Sequence, residues 1–593
     1  MAYFLPGVAP RLYDPNEEIP LKTLKLTSHH TQMPYDFYYL KFCRPGTILR
    51  VSESLGELLN GDIIQNTPYS IKKSEQKKCQ TVCRTSLNKE DTQKFAYMID
   101  NDYRVQWLLD NLAAVETFEN GQKRYKKGFQ IGYKFHDKYY LNNHVDITIR
   151  YHPKKSSKEE KFTIVGFEVK PESHSNDKNC TFDQNKKFSF EHNKPTNITF
   201  TYSVHFEKSE TEWSARWEPY AQIPNQNIHL FSFINSIIPV ITLMVVVAYI
   251  LMRTLKKDFF AYNVLAEDPE SRLEEKGWKL VHGDVFRPPK HSTALSIAIG
   301  SGFQIGAMLL LMIFLLVTKV VTPIKRGSIV NAFLFLFLLM TYFSGLFSSM
   351  MNKMFGKSNY KLIAFYSSLL YPGINFSVFL ILEFILWSQG SSGAVSFFVL
   401  FKLFFLWICI SVPLSIYGAY RGNLATKIKT VTKVNLIPRQ IPKNANKISR
   451  TVKILCAGIL PFLAAFVEIY YLMNSIWLDR FYFMVGGFIL IFSILTIISC
   501  EITIILCYLQ LCKEDYNWWW NAFLSSGSSG ICLFFYGIYY GIFNLHISHF
   551  APFVLYIGYM SLISFTLFLL TGTIGVVAAF LFISKIYSSI KID

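Results

Sequence analysis

Four ionisable residues, Glu383, Lys402, Glu468 and Glu501, each lie inside a long run of apolar residues. A charge placed in hydrocarbon is costly unless it is paired, hydrated or neutralised. Two chemistries follow. Each residue either snorkels or pairs near an interface and fixes helix packing, or the set lines a polar path for ions, protons or a lipid headgroup. Glu383 and Lys402 are separated by one short connection, so antiparallel packing of their runs would let them pair. Cysteine is the other reactive type. Cys43, Cys79, Cys83 and Cys180 form an even set in the N-terminal part that allows three full pairings, and the remaining six fall in or beside apolar runs and read as packing residues.

Catalytic signatures fail on inspection. Gly356-Lys357-Ser358 has the tail of a phosphate-binding loop, but Met351 stands where that loop requires glycine. There is no His-Glu-x-x-His and no Gly-x-Ser-x-Gly. His29 and His30 would point to opposite faces of a strand, which makes them a poor metal pair and reads as two surface histidines. No catalytic residue, metal site or cofactor is expected, and an enzyme is the least supported class.

The elements that carry these residues follow from composition. Of 593 residues 51% are hydrophobic, 16% aromatic and only 17% charged, which points to a membrane protein rather than to a disordered chain or a small disulfide scaffold. About 20 apolar residues cross a bilayer core. Runs of that length occur near 229–252, 297–318, 328–349, 362–387, 395–420, 453–476, 481–511, 523–543 and 552–583. All must be helices, because backbone polar groups in lipid have to be satisfied within their own segment. The organisation expected is a domain over 1–228, a first span over 229–252, a cytosolic loop over 253–296, an eight-helix membrane domain over 297–583 and a tail over 584–593.

Charge sets the orientation. Of the net charge of +18, residues 1–228 hold 32 basic against 28 acidic side chains, and the excess lies in the hydrophobic half. Alternate connections hold 23 Lys and Arg on one side and four on the other: Lys319, Lys325, Arg326 and Arg480. The positive-inside rule places the C-terminus in the cytosol and residues 1–228 on the lumenal or extracellular side. The sequons at Asn179 and Asn197 suit that side, whereas Asn375 falls within a span. Met1-Ala-Tyr-Phe-Leu-Pro shows no basic and apolar leader pattern, so the chain is expected to begin at or near a mature N-terminus.

Local patterns fill in the domain and the spans. Alternation in Ile198–Phe206 and at Val145, Ile147 and Ile149, with similar stretches at 129–135 and 161–170, predicts a mainly β, sandwich-like domain with a helix around Lys89 to Leu112. Trp213 and Trp217 would anchor it at the membrane surface, and Trp518-Trp519-Trp520 would join the interfacial aromatic belt. Gly302-x-x-x-Gly306 and Gly537-x-x-x-Gly541 permit close helix contact, either internally or against a client helix. The stretch 421–453 has nine basic and no acidic residues, which suits an anionic leaflet or an acidic partner, although positive-inside bias alone accounts for it.

Specific strings add a family. The segments Phe4-Leu-Pro-Gly-Val-Ala-Pro10, Tyr35-Asp-Phe-Tyr-Tyr-Leu-Lys-Phe-Cys-Arg-Pro45, Leu55-Gly-Glu-Leu-Leu-Asn-Gly-Asp62 and Gly277-Trp-Lys-Leu-Val-His-Gly-Asp-Val-Phe-Arg-Pro-Pro289 resemble the transmembrane 9 superfamily, also called nonaspanins or endomembrane protein 70. So do Gly390-Ser-Ser-Gly-Ala394, Ile437-Pro-Arg-Gln-Ile-Pro442, Glu514-Asp-Tyr-Asn-Trp-Trp-Trp520 and Tyr587-Ser-Ser-Ile-Lys-Ile-Asp593. The resemblance implies a Golgi and endosomal protein of nine helices with a lumenal domain, acting in sorting or surface delivery of other membrane proteins. It further implies client proteins with glycine-rich or polar transmembrane segments. Lys591 and Asp593 match the family's K-x-D signal read by coatomer. Nothing points to nucleic acid as a partner. The alternative is an ion, proton or lipid transporter or channel built on the intramembrane carboxylates.

Overall fold

A computed structural model describes residues 10–588 apart from 52–53, 121, 157–158, 175–186, 218–236, 251, 255, 257–276, 323–325, 358, 443–448 and 479–483. The N-terminal part is built on strands because its apolar residues alternate. The larger sheet orders Lys77–Leu87, Thr196–Lys208, His144–Ser156, Glu159–Glu172, Val115–Asn120 and Gln122–Lys127. His144–Tyr151 runs parallel to Thr201–Lys208 and antiparallel to its other neighbour, so the sheet is mixed. A second sheet is centred on Leu21–Thr27 and Arg104–Leu109. Both sheets feed one core, in which Leu26, Val105 and Trp107 share a cluster with Ile147, Phe167 and Ile198.

Two short helices interrupt the strands. Helix α1 (Leu55–Leu59) starts at a capping box in which Glu57 accepts the Ser54 amide at 2.7 Å. Helix α2 (Lys89–Asp100) is shorter than the expected stretch to Leu112. Asp102 turns the chain with φ +47°, and Arg104–Leu109 leaves as a fully buried strand in which Arg104 and Gln106 are buried along with the apolar residues, so it lacks the alternation that marks a half-buried strand.

The C-terminal part is a helix bundle. Helices α3 (Ile237–Thr254), α4 (Ser292–Val317), α5 (Ser328–Met354), α6 (Tyr360–Ser388), α7 (Phe397–Leu424), α10 (Met484–Cys512), α11 (Trp518–Phe543) and α12 (Phe550–Ser588) are apolar and long enough to cross a bilayer singly. The sixth expected span is instead two helices, α8 (Arg450–Ala464) and α9 (Phe466–Trp477), bent by 71° just after Pro461. In α7 the turn at Trp407–Ser411 widens to a π-type turn, which makes room for Pro413, a residue that cannot continue a regular helical hydrogen-bond ladder.

Small residues set the closest contacts. A Cβ on Gly302 would lie 1.9 Å from Thr573 Oγ1, and one on Gly345 would lie 2.0 Å from Ser415 O, so α4 meets α12 and α5 meets α7 nearly backbone to backbone. Gly537 and Gly541 face Met560 and Tyr556 of α12 in the same way. Both glycine pairs expected from sequence therefore serve contacts within the chain.

Candidate functional site

The N-terminal domain is bonded to the bundle at the ends of its helices. The strand Leu21–Thr27 stops before His29 and His30, which sit in a turn and not on opposite faces of a strand. His29 Nδ1 lies 3.3 Å from Trp477 O at the end of α9, and His30 Nδ1 lies 3.0 Å from Leu545 O just beyond α11. A carbonyl only accepts, so Nδ1 carries the proton in both rings, and the donors face helix C-termini, where the dipole favours them. The expected pair of surface histidines is thus part of the junction. Gln32 adds a bond to Trp477 O at 3.1 Å.

The other flank is equally tied. The Gly56 amide donates to Asn331 Oδ1 in the first turn of α5 at 2.8 Å. The turn between α6 and α7 grips Pro34 O through the Ser392 amide at 3.0 Å and Ser391 Oγ at 2.6 Å. The His549 ring stands 5.7 Å from Tyr97. The start of α5, the α6–α7 turn, the end of α9 and the α11–α12 connection therefore all meet the domain, and Leu382, Leu386 and Leu555 of the bundle belong to the domain's own core cluster. These sites lie at the end of the bundle whose connections carry few basic residues.

The four intramembrane ionisable residues do not form a centre. The expected Glu383–Lys402 pair is absent. Glu383, 1% exposed on α6, accepts the Val395 amide at 2.8 Å with Oε2, which satisfies a buried N–H of the connection just ahead of the N-cap Ser396 of α7. Lys402 faces outward from α7 beside the exposed Phe401 and Phe405, its Nζ 4.6 Å above the Phe398 ring and turned back toward the helix start. That is a snorkelling geometry. Glu468 is fully buried in the first turn of α9, next to the bend. Glu501 is half-buried on α10, and its Oε2 has no hydrogen-bond partner among the described residues. No two of the four form an ion pair.

The bend at α8–α9 is the feature that hydropathy does not reveal. Phe462, Phe466, Tyr470, Tyr536 and Tyr540 surround it as a chain of ring contacts, and Tyr540 Oη donates to Asn474 Oδ1 at 2.6 Å. Pro461 is the available signal, since proline inside a helix removes a donor and pushes on the preceding turn.

The opposite face of the bundle carries a polar platform. Trp518, Trp519 and Trp520 do not form an interfacial belt. Their indole N–H groups donate to Val285 O at 2.8 Å, Arg287 O at 3.2 Å and Lys290 O at 2.8 Å, and the first two rings are 0% and 1% exposed. Tyr587 Oη donates to Trp278 O at 2.6 Å, so the segment 277–291 is strapped to α11 and α12. Asp284 joins this segment to the next, accepting Arg287 Nε at 2.9 Å and the Arg439 amide at 3.2 Å.

In the N-terminal domain Cys43 and Cys83 are bridged, with Cα atoms 5.8 Å apart, and Cys79 is also disulfide-bonded. Asn197 is exposed on its strand. Cys180 and Asn179 lie outside the described residues, as do Lys591 and Asp593 of the tail. Trp213 and Trp217 take a different role from the expected membrane anchors: they stack on Arg216 at 4.5 and 5.5 Å, and that buried guanidinium bonds Asp110 at 2.7 Å. The six remaining cysteines are unbridged, Cys507 buried and Cys409 and Cys456 exposed. Among the described residues no cluster of His, Cys, Asp and Glu could hold a metal ion.

Comparison with known proteins gives consistent matches. The family model of endomembrane protein 70 matches residues 34–550. Transmembrane 9 superfamily member 9 of Arabidopsis thaliana is 41% identical, over 100% of this chain and 96% of its own length. Human transmembrane 9 superfamily member 4 is 38% identical over 100% and 97%, and mouse member 2 is 36% identical over 100% and 95%. No solved structure matches the chain.

Proposed function

The chain belongs to the endomembrane protein 70 family, the transmembrane 9 superfamily, and on that premise we propose that this multi-pass protein of the endomembrane system sorts other membrane proteins. In this reading it works in Golgi and endosomal membranes with its N-terminal domain lumenal and its C-terminus cytosolic. Clients with glycine-rich or polar transmembrane segments contact the domain and the spans, and coatomer reads Lys591 and Asp593 in the tail. The protein acts by binding and carries out no catalysis.

One observation carries the reading: the N-terminal domain is bonded to one end of the bundle at four places and shares core residues with it. A client held by the domain is thereby held against the spans in one geometry, which is what recognition of a whole membrane protein requires. The decisive experiment compares full-length protein with Lys591→Ser, both tagged in the N-terminal domain so that the terminal carboxylate stays free. Escape of the variant from the Golgi, together with a fall in surface clients when the protein is removed, supports sorting. Unchanged location and unchanged surface proteome refute it.

Transport has one supporting observation of its own. Bent spans free backbone groups for ligands, and Glu468 is buried in the first turn after the bend. Glu468→Gln would abolish flux in reconstituted vesicles if this reading holds, and absence of flux in the unaltered protein removes it.

A further inference from the structure

The connection between α7 and α8 presents two neighbouring aliphatic side chains almost wholly to solvent: Leu436 is 99% exposed and Ile437 83%. Thr432 Oγ1 donates to His282 O at 2.8 Å, and the Asn435 amide donates to Gly283 O at 2.8 Å. Arg287 Nη2 reaches Asn435 O at 2.7 Å, and Arg439 bonds Glu514 at 3.0 Å. Four polar bonds on both sides of the pair thus hold it outward, an arrangement that displays two apolar side chains.

Height and charge indicate what covers the pair. The segments that hold it are strapped by Trp518, Trp519 and Trp520 to the first turn of α11, and Lys353 at the end of α5 holds Asn423 O and Ala425 O at 2.7 and 2.9 Å. The tip is therefore built on the ends of the spans, where the bilayer surface lies. Lys427, Lys429, Lys433 and Arg439 are exposed around it, with Val431 and Val434 between them, and no acidic residue occurs from 421 to 453. Apolar tips within a basic ring complement an anionic headgroup layer lying over hydrocarbon. We infer that Leu436 and Ile437 insert into an anionic leaflet of the protein's own bilayer, with Lys427, Lys429 and Lys433 held at its phosphates. This adds a lipid-dependent anchor to the proposed sorting function and does not depend on it.

The test uses the full chain in nanodiscs of phosphatidylcholine with and without phosphatidylserine, with an environment-sensitive fluorescent amino acid replacing Leu436. Insertion predicts blue-shifted emission and quenching by spin-labelled lipid that is several-fold stronger in the anionic discs. Combining K427Q, K429Q and K433Q should return the quenching to the phosphatidylcholine level, as should high salt, which screens exposed charge. Amide exchange over 431–438 in the unlabelled protein provides a check without any substitution, with slower exchange expected in anionic discs. A water-like, unquenched probe with unchanged exchange in both discs overturns the inference. So does quenching that is equal in both discs and insensitive to the lysine changes.

Discussion

His144 gives the N-terminal domain a built-in sensitivity to acid. The ring is 1% exposed at the start of the strand His144–Ser156, with Nδ1 2.8 Å from Thr201 Oγ1 and Nε2 3.2 Å from Ser203 Oγ. Burial, aided by His174 with its ring 4.7 Å away, pushes the His144 pKa down to about 4. The ordinary value is about 6.5, so between those limits the unfolded chain binds a proton that the folded domain refuses. Stability conferred by the neutral ring is thus complete above the unfolded value and is lost as pH falls toward the folded one. Between pH 7 and pH 5 the loss amounts to about 2 kcal/mol, or about 30-fold in the opening equilibrium. Glu172, held down to about 2 by hydrogen bonds from His174 and Lys170, keeps its contribution throughout that interval and does not offset the loss.

The perturbation is His144→Gln, which keeps polar atoms toward Thr201 and Ser203 and cannot titrate. Amide exchange of Ile147, Phe167 and Val204, all in the buried sheet, reads the opening of the domain in the full protein in nanodiscs, after correction for the intrinsic pH dependence of exchange. The unaltered protein should lose about 30-fold protection between pH 7 and pH 5 from this residue, and H144Q should lose that much less. Equal losses in the two proteins, or no loss in either, refute the assignment. In an acidified compartment protonation of this ring would loosen the domain, which connects this buried histidine to the endosomal part of the proposed function.

Three further outcomes follow from the geometry. Cys43→Ser opens a bridge spanning 40 residues and should cost the domain about 4 kcal/mol, read without reductant as a fall in thermal midpoint relative to the unaltered protein, while reductant, which also opens the bridge at Cys79, should lower the midpoint further in both. Gly345→Ala forces a Cβ to within 2.0 Å of Ser415 O on α7 and should destabilise the bundle by about 1–3 kcal/mol in detergent unfolding, whereas Gly356→Ala, with open space around it but φ +81°, would cost only local backbone strain. Glu383→Leu leaves the buried Val395 amide without its acceptor, at a cost of about 1–3 kcal/mol, while Glu383→Gln keeps an acceptor oxygen and should cost less. Equal effects of the two Glu383 variants in the same unfolding assay would refute that bond.

How far the fold and its junctions are legible in the residues depends on whether the governing interaction is local. The spans are readable because hydropathy acts on each segment alone, and the strands because alternation does. The bend after Pro461 is not, since a proline in a hydrophobic run is compatible with a straight span when neighbouring helices support it. Glu383 illustrates the same limit. A carboxylate in hydrocarbon demands a partner, and the residue types suggest Lys402, but the partner is a backbone amide in the connection just ahead of the next helix, which leaves no trace in residue identity. His29, His30 and the three tryptophans differ from expectation for a related reason: an amphipathic ring suits a surface and a junction equally well, and only the carbonyl it meets decides between them.

These differences share a direction. The polar side chains at His29, His30, Trp518 and Trp519, expected at the periphery, are used instead to tie one segment to another, and Trp213 and Trp217 cover the buried Arg216. By contrast, Leu436 and Ile437, the types expected inside, are held outside by polar bonds on both flanks. Polar groups help to hold this chain's parts together at both faces of the bundle, and exposed apolar side chains cover the outer flanks of its helices. A protein arranged in that way meets its surroundings through its sides and through the α7–α8 tip. Substitutions that abolish function without unfolding the chain are therefore expected on the exposed flanks of α7 and on the α7–α8 connection, and not among the buried serines of the bundle. Saturation of both sets, scored for client delivery and for protein abundance separately, would refute this if loss of delivery at normal abundance mapped to the buried positions instead.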